Sequence, residues 1–197
     1  MKPGVLALQG DFAAHVRAIE GAVEVRRARE IDSLEVLIIP GGESTTMLKL
    51  LAGSGIEDAA RRLVERGGTI FGTCAGAILL ARQVSNPPQP SWGLIDIDIE
   101  RNAYGRQVDS FEAILDPPYA GVFIRAPRIR RAGPEVEVIA RWNGEPVLVR
   151  QGRVFAATFH PELSGDRRVY DLVLGSRSRR ANPPEQDRSE LGKPSSG

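Results

Sequence analysis

The chain has 197 residues, and 42% of them are hydrophobic, which is enough to build the core of one domain. Its 26 Lys and Arg residues are nearly balanced by 25 Asp and Glu residues. The protein therefore has no strong field of one sign that would draw it to nucleic acid or to an acidic membrane. Small neutral or zwitterionic ligands are expected instead.

Cysteine and histidine are scarce. A single cysteine excludes an internal disulfide, and the two histidines, His15 and His160, leave too few ligands for a typical structural zinc site. The N-terminus lacks a signal-peptide pattern, and no run approaches the roughly 20 apolar residues that cross a bilayer. We expect a soluble protein of the reducing cytoplasm.

The first half of the chain alternates between short apolar runs and amphipathic segments. Val36–Ile39 is continuously apolar, as in a strand that is covered on both faces. The pattern predicts strands at 5–8, 23–26, 36–39 and 68–71, and helices at about 12–22, 44–51, 56–66 and 75–81. This alternation predicts an α/β fold, a three-layer sandwich around a mostly parallel central sheet. In such sheets, ligands bind beyond the carboxyl ends of the strands.

The second half, after a proline-rich loop at 86–90, is richer in strands. Ile95–Glu100 alternates strictly between isoleucine and acidic residues, which predicts a half-exposed strand. Further short strands are predicted at 121–124, 136–141, 146–150 and 154–158, with a closing helix at about 166–174. Beyond Gly175 the chain is mostly polar. We predict one domain over residues 1–175 and a disordered tail over 176–197.

The only cysteine, Cys74, lies in a Gly-x-Cys-x-Gly motif between a predicted strand and a predicted helix. This is the layout of a nucleophile elbow, in which small neighbours allow a sharp turn that exposes the reactive atom. The helix N-terminus would favour the thiolate. A lone cysteine among apolar residues can also be a small buried hydrophobe.

His160 and Glu162 flank Pro161 after the last predicted strand. Proline favours extended geometry at His160, and in an extended chain residues two apart point to the same side. A carboxylate that orients the imidazole, together with a thiol on an elbow, would supply a Cys-His-Glu triad. The alternatives are a histidine that caps a loop and a solvated carboxylate.

A third motif, Pro40–Thr46, is a glycine-rich turn that opens a predicted helix. Its backbone N–H groups are suited to an anion or an oxyanion. The Gly-Lys-Ser/Thr of a phosphate-binding loop is absent, so nucleotide binding is not expected. The alternative is a tight turn between a strand and a helix.

These motifs resemble the class I glutamine amidotransferases and, in more detail, the glutaminase subunits of pyridoxal 5′-phosphate synthase. The resemblance rests on Leu8–Gly10, Pro40–Met47, Phe71–Gly76, Glu100–Asn102, Gly105–Glu112, Gly121–Pro127 and Phe159–Leu163. These segments occur in the family's order, and the block from Arg101 to Glu112 is not shared by other amidotransferase glutaminases. The tail beyond Gly175 has no counterpart.

The resemblance implies a class I glutamine amidotransferase-like fold and hydrolysis of L-glutamine to L-glutamate and ammonia. Cys74, His160 and Glu162 would form the triad, with a γ-glutamyl thioester as the intermediate. The residues implied in glutamine binding are Gly42, Glu43, Ser44, Arg101, Ile124 and Arg125. Backbone N–H groups at Gly42 and Ala75 would form the oxyanion hole. No cofactor or metal is expected, because these groups are enough for amide hydrolysis.

The same resemblance implies that the ammonia passes to a synthase subunit in a large hetero-oligomer that makes pyridoxal 5′-phosphate. Either Arg101 or Arg125 would pair with the α-carboxylate of glutamine, and Glu43 would face its ammonium. Each arginine could instead form a surface ion pair. The alternatives for function are a glutaminase that serves another ammonia-using synthase, a non-catalytic assembly partner, and a cysteine peptidase or thiol chaperone on a related scaffold.

Overall fold

A computed structural model describes residues 1–103 and 110–175. The strands are β1 Pro3–Leu6, β2 Val23–Val25, β3 Val36–Ile39, β4 Thr69–Thr73, β5 Ala81–Ser85, β6 Ile95–Glu100, β7 Ser110–Ile114, β8 Ala120–Ile124, β9 Arg128–Ala132, β10 Glu137–Trp142, β11 Glu145–Gln151 and β12 Val154–Ala157. The helices are α1 Phe12–Ala18, α2 Ala28–Ile31, α3 Ser44–Leu51, α4 Ile56–Glu65, α5 Ala75–Leu80, α6 Pro161–Ser164 and α7 Arg168–Val173. The tail predicted over 176–197, and residues 104–109 of the block that carried the resemblance, lie outside the described residues.

A seven-stranded sheet forms the centre of the molecule, in the order β10-β11-β12-β4-β3-β1-β2. Strands β12, β4, β3, β1 and β2 are parallel, whereas β10 and β11 are antiparallel additions at one edge. Smaller sheets, β5-β6-β9 and β7-β8, lie outside it. The mostly parallel central sheet confirms the predicted fold class.

The core lies on both faces of this sheet. Leu37, Ile39 and Ile70 face one hydrophobic cluster, while Ile38 and Phe71 face the other. Because β3 and β4 are buried along their whole length, both of their faces must be apolar, which is why their sequences do not alternate. The three-layer arrangement follows from this two-sided burial.

Most predicted elements are present, with shifts of a few residues at their ends. Helix α1 ends at Ala18 rather than at Ala22, because Ile19 already has extended backbone angles. Strand β6 alternates between buried and half-buried residues as predicted. Among the described residues, none of the helices is long and apolar enough to span a membrane.

Several elements were not predicted, namely α2, β5, β7, β9 and α6. Strand β9 has the sequence Arg-Ile-Arg-Arg-Ala, and with so many charged side chains it lacks the apolar pattern that predicts a strand. In the structure Arg131 donates to Asp96 on the neighbouring strand β6 at 2.9 Å, and Arg130 pairs with Glu100 on the same strand at 2.5 Å. These cross-strand ion pairs stabilise a strand whose own sequence does not indicate one.

The topology brings three loops to one edge of the sheet. Strands β12, β4 and β3 are neighbours and run parallel, so their carboxyl ends lie side by side. The loops that follow them carry His160, Cys74 and the turn at Gly41 and Gly42. This is the edge at which parallel sheets bind their ligands.

Candidate active site

Cys74 forms the sharp turn between β4 and α5. Its backbone has φ 47° and ψ −102°, an uncommon conformation for a residue with a side chain. Its N–H donates to the carbonyl oxygen of Ala157 at 2.8 Å, which ties the turn to β12. The geometry is that of the predicted elbow, and the residue that carries the thiol is one of those held in a strained backbone conformation.

Glycine is required at position 76, two residues after Cys74, for steric reasons. A Cβ atom placed on Gly76 would lie 2.1 Å from the carbonyl oxygen of Ile39 at the end of β3. Helix α5 therefore starts closer to the neighbouring strand than any larger residue at position 76 would allow.

The imidazole of His160 is held by Glu162. Nδ1 of His160 lies 2.7 Å from Oε1 of Glu162, and the carboxylate is fully buried. The two side chains converge as predicted, but the prediction that both lie in an extended chain was wrong. Pro161 is the first residue of the short helix α6, so Glu162 is helical, and His160, which precedes the helix, has φ −108° and ψ 88°.

The environment of His160 favours its charged form. Burial by itself lowers the pKa of His160, but hydrogen bonds with Cys74 and with Glu162 outweigh burial and raise this pKa to about 10. Cys74 is 7% exposed, and its Sγ lies 3.9 Å from the carbonyl oxygen of Ile124. Thiol, imidazole and carboxylate thus form one continuous chain of interacting groups.

The glycine-rich turn after β3 packs against this chain. A Cβ atom on Gly41 would lie 2.4 Å from Cε1 of His160 and 3.2 Å from the Cβ of Cys74. Glu43, which precedes α3, accepts hydrogen bonds from the N–H groups of Thr45 and Thr46 at 3.0 and 2.7 Å. A hydrogen bond from the Thr46 hydroxyl, followed by that from the Thr45 N–H, lowers the pKa of Glu43 to about 2.

A cleft of about 340 Å³ opens above Cys74 and His160. All six residues implied in glutamine binding line it, namely Gly42, Glu43, Ser44, Arg101, Ile124 and Arg125. Glu162 lies behind His160 rather than in the cleft, and Ala75 is the buried first residue of α5. A larger cavity of about 520 Å³ lies at the opposite edge of the sheet, but its lining contains neither of the two histidines nor the cysteine.

The sequence of this chain matches an established family along most of its length. Residues 5–177 match the SNO glutamine amidotransferase family. This chain belongs to the SNO glutamine amidotransferase family. This match confirms the resemblance that was inferred from the sequence motifs.

Individual relatives agree with the family match. The chain is 54% identical to a protein of Thermus thermophilus named pyridoxal 5′-phosphate synthase subunit PdxT, over 87% of this chain and 95% of the relative. It is 53% identical to a protein of the same name from Koribacter versatilis, over 88% of this chain and 94% of that protein.

Solved structures confirm the fold. A crystal structure of a glutamine amidotransferase is 50% identical to this chain and superposes with a TM-score of 0.84, covering 89% of this chain and 98% of the other. The structure of PurLQS from Thermotoga maritima is 19% identical, with a TM-score of 0.64 over 88% of this chain and 97% of that one. At that identity, the second likeness indicates the fold alone.

The two cleft arginines have different surroundings. Nη2 of Arg101 lies 3.3 Å from Oγ1 of Thr45 and 3.7 Å from Oε1 of Glu43, so its charge is already partly balanced. Arg125 is exposed and has a φ of 42°. Within residues 1–103 and 110–175, no ion pair or side-chain hydrogen bond involves Arg125. Among the described residues, the guanidinium of Arg101 is thus held by neighbouring side chains, whereas that of Arg125 is available to bind a ligand.

Two further residues at the site were assigned no catalytic or glutamine-binding role from the sequence. Gln9 lines the cleft, and its Oε1 accepts from the N–H of Glu43 at 3.0 Å, which fixes the glycine-rich turn. His15 lies on α1, fully buried next to Glu162. The motif Leu8–Gly10 indicated the first of these, whereas the only signal for His15 was that a histidine occupies the apolar side of a helix.

Proposed function

We propose that this protein hydrolyses L-glutamine to L-glutamate and ammonia, and that the ammonia serves a synthase subunit that makes pyridoxal 5′-phosphate. The observation that carries the proposal is the chain of contacts from the strained Cys74 through His160 to the buried Glu162, at the floor of the cleft. Its relatives named as synthase subunits support the second half of the proposal.

The reaction begins at the thiol of Cys74. The raised pKa of His160 keeps its imidazole protonated beside Cys74, and a thiolate next to an imidazolium is a strong nucleophile. The thiolate attacks the carboxamide carbon of glutamine, and the carbon–nitrogen bond breaks as His160 donates a proton to the departing ammonia. The product of this half-reaction is a γ-glutamyl thioester on Cys74.

Water completes the cycle. Neutral His160 accepts a proton from a water molecule, whose oxygen attacks the thioester carbon. The carbon–sulfur bond breaks, glutamate leaves, and the thiolate and imidazolium are restored. Throughout, Glu162 keeps Nδ1 of His160 protonated, so that Nε2 is the atom that exchanges protons.

Two backbone N–H groups are proposed to hold the oxyanion. Ala75 is the first residue of α5, where an N–H has no partner inside the helix. Gly42 lines the cleft together with Cys74, and we assign its N–H as the second donor. One such donor is worth about 10²- to 10³-fold in rate in other acyl-transfer enzymes.

The walls of the cleft are proposed to bind the amino-acid end of glutamine. Arg101 and Arg125 supply positive charge for the α-carboxylate of glutamine. Glu43 and Ser44 line the same cleft and are assigned to its α-ammonium group. Ile124 places its carbonyl oxygen near the thiol. No step of this scheme requires a cofactor or metal, and the cytoplasmic location stays a prediction.

The direct test is glutamine hydrolysis by wild type, Cys74→Ala and Glu162→Gln, each with and without the synthase subunit. We expect Cys74→Ala to abolish glutamate formation. The isosteric Glu162→Gln should lower kcat by about 10³- to 10⁴-fold, because an amide lacks the negative charge and its N–H can face Nδ1 of His160, which favours the wrong tautomer. Hydroxylamine should trap the thioester of wild type as γ-glutamyl hydroxamate. Turnover by Cys74→Ala would contradict the mechanism.

The second half of the proposal has its own test. Pyridoxal 5′-phosphate formation by the synthase subunit is measured with glutamine or with an ammonium salt as the nitrogen source. We expect Cys74→Ala to block formation from glutamine and to leave formation from ammonium intact. If wild-type protein did not support formation from glutamine, the assignment to this synthase would be wrong even if the glutaminase activity stood.

A further inference from the structure

A second histidine, His15, lies directly behind Glu162. Its Nε2 is 3.3 Å from Oε2 of Glu162, and both side chains are fully buried. On the other side of the ring, Nδ1 lies 2.8 Å from the hydroxyl oxygen of Tyr170 on α7. Nε2 is also 3.3 Å from Oγ1 of Thr73, the residue before the elbow. The ring therefore bridges α7 and the carboxylate.

The second oxygen of Glu162 needs such a neighbour. Oε1 accepts from His160, but Oε2 is completely buried and has no well-directed hydrogen bond from the described part of the chain. A buried carboxylate oxygen without any donor nearby is costly. An N–H of His15 that faces Oε2 reduces this cost and favours one orientation of the carboxylate.

The contacts decide which nitrogen of His15 carries the proton. Burial lowers the pKa of His15, opposed by the charge of Glu162, so the ring is neutral and has one N–H. Burial raises the pKa of Tyr170, so its hydroxyl keeps its proton and can donate to Nδ1. Nε2 then carries the hydrogen, and Oε2 of Glu162 and Oγ1 of Thr73 each lie 3.3 Å from this nitrogen.

The other charged groups near His15 agree with this assignment. His160 lowers the pKa of His15, and Asp11, on the turn before α1, raises it. The opposite tautomer would place a lone pair of Nε2 against the Glu162 carboxylate. Electrostatic repulsion disfavours that arrangement.

We propose that His15 is a positioning residue, which holds the second oxygen of Glu162 so that the first one can orient His160, and that Tyr170 sets its tautomer. This inference rests on the proposed glutaminase function. His15 does not reach the cleft, so it acts through Glu162 and not on glutamine itself. Its loss should therefore change kcat and leave KM unchanged.

A matched pair of substitutions tests the donor. His15→Gln keeps an N–H that can reach Glu162, whereas His15→Met has similar length and no donor. We expect His15→Met to lower kcat for glutamine hydrolysis by about 10- to 100-fold, since small displacements of catalytic groups have effects of this size. His15→Gln should retain clearly more activity. Equal kcat values in the two folded variants, whether high or low, would overturn the proposal.

A second measurement does not depend on glutamine. The rate at which iodoacetamide alkylates Cys74 at neutral pH reports how well the imidazolium of His160 holds the thiolate. We expect His15→Met to alkylate more slowly than His15→Gln, and equal rates would count against the inference. If wild type hydrolysed no glutamine, the proposed function would fail. The comparison of Cys74 alkylation rates between His15→Met and His15→Gln would still decide the role of His15.

Tyr170→Phe covers the case in which His15→Met does not fold, as judged by the loss of a cooperative unfolding transition. This variant keeps the ring and removes only the hydroxyl. We expect a several-fold lower kcat at unchanged KM, together with slower alkylation of Cys74. Wild-type kcat and alkylation in Tyr170→Phe would then overturn the proposal.

Discussion

Gly41 lies so close to His160 that no side chain fits between them. A Cβ atom at position 41 would be 2.4 Å from Cε1 of the imidazole and 3.1 Å from Nδ1, the atom that Glu162 holds. The same Cβ would be 3.2 Å from the Cβ of Cys74. The glycine-rich turn thus limits the space in which thiol and imidazole can move.

This contact predicts a large effect of Gly41→Ala. The added methyl group must displace the His160 ring, and the ring cannot move without losing its contacts with Cys74 and Glu162. We expect kcat for glutamine hydrolysis to fall by about 10²-fold or more. Steady-state kinetics measures kcat, and thermal unfolding measures the stability of the variant. A Gly41→Ala protein with wild-type kcat would show that the turn moves away from the ring.

The protonation of His160 is a second prediction. Burial lowers its pKa, and the hydrogen bonds with Cys74 and Glu162 raise it to about 10. We expect the His160 resonances in NMR spectra to titrate far above the ordinary histidine value of 6.5. In Cys74→Ala the pKa should fall, because the hydrogen bond with Cys74 is the largest contribution that raises it. Since the chain has two histidines, His15→Gln identifies the His160 resonances.

The same shift predicts how stability depends on pH. A histidine whose pKa is higher in the folded than in the unfolded protein stabilises the fold while it is protonated. Its contribution is complete below 6.5 and is lost as the pH rises through about 10. Urea unfolding of wild type across this window should show a decline that Cys74→Ala shows to a smaller degree. Parallel curves for the two proteins would contradict the shift.

Glu43 offers a prediction about the helix that opens beside the cleft. Its carboxylate caps α3 through Thr45 and Thr46, and replacement of a capping residue by alanine costs about 1 kcal/mol. We expect Glu43→Ala to lower the free energy of unfolding by this amount and Glu43→Gln, which keeps one acceptor, by less. Because the pKa of Glu43 is lowered to about 2, this stabilisation should persist above the ordinary value of 4.5 and disappear as the pH falls toward 2. Urea unfolding of the three proteins at neutral and acid pH is the measurement, and equal losses in both variants would exclude the capping role.

The parts of this fold that could be predicted from the sequence are those whose causes are local. Val36–Ile39 is buried on both faces, and a strand in that position has to be apolar throughout. The elbow at Cys74 could be predicted because its sterics require glycine at position 76. Strand β9 could not be predicted, because its arginines are matched by Asp96 and Glu100 on another strand.

The residues of the site likewise divide into those that local sequence motifs indicate and those that depend on distant parts of the chain. The motifs indicated Cys74, His160 and the cleft residues, and the structure brings these together at one edge of the sheet. Their catalytic roles stay predictions. His15 could not be identified, because its meaning depends on Tyr170, which lies 155 residues away, and on the second oxygen of Glu162. A pattern in α1 alone shows only that the position is buried.

The last prediction concerns the α-carboxylate of glutamine, which either arginine of the cleft could bind. Arg101 already interacts with Thr45 and Glu43, whereas Arg125 is exposed. An available guanidinium attracts a carboxylate more strongly than one whose charge is balanced by a neighbour. We therefore expect Arg125→Ala to raise KM for glutamine more than Arg101→Ala does. In a matched comparison, Arg125→Lys should recover only part of the loss, because lysine cannot form the two parallel hydrogen bonds that arginine forms. KM values measured for the three variants decide between the arginines, and a larger effect of Arg101→Ala would assign the carboxylate to Arg101.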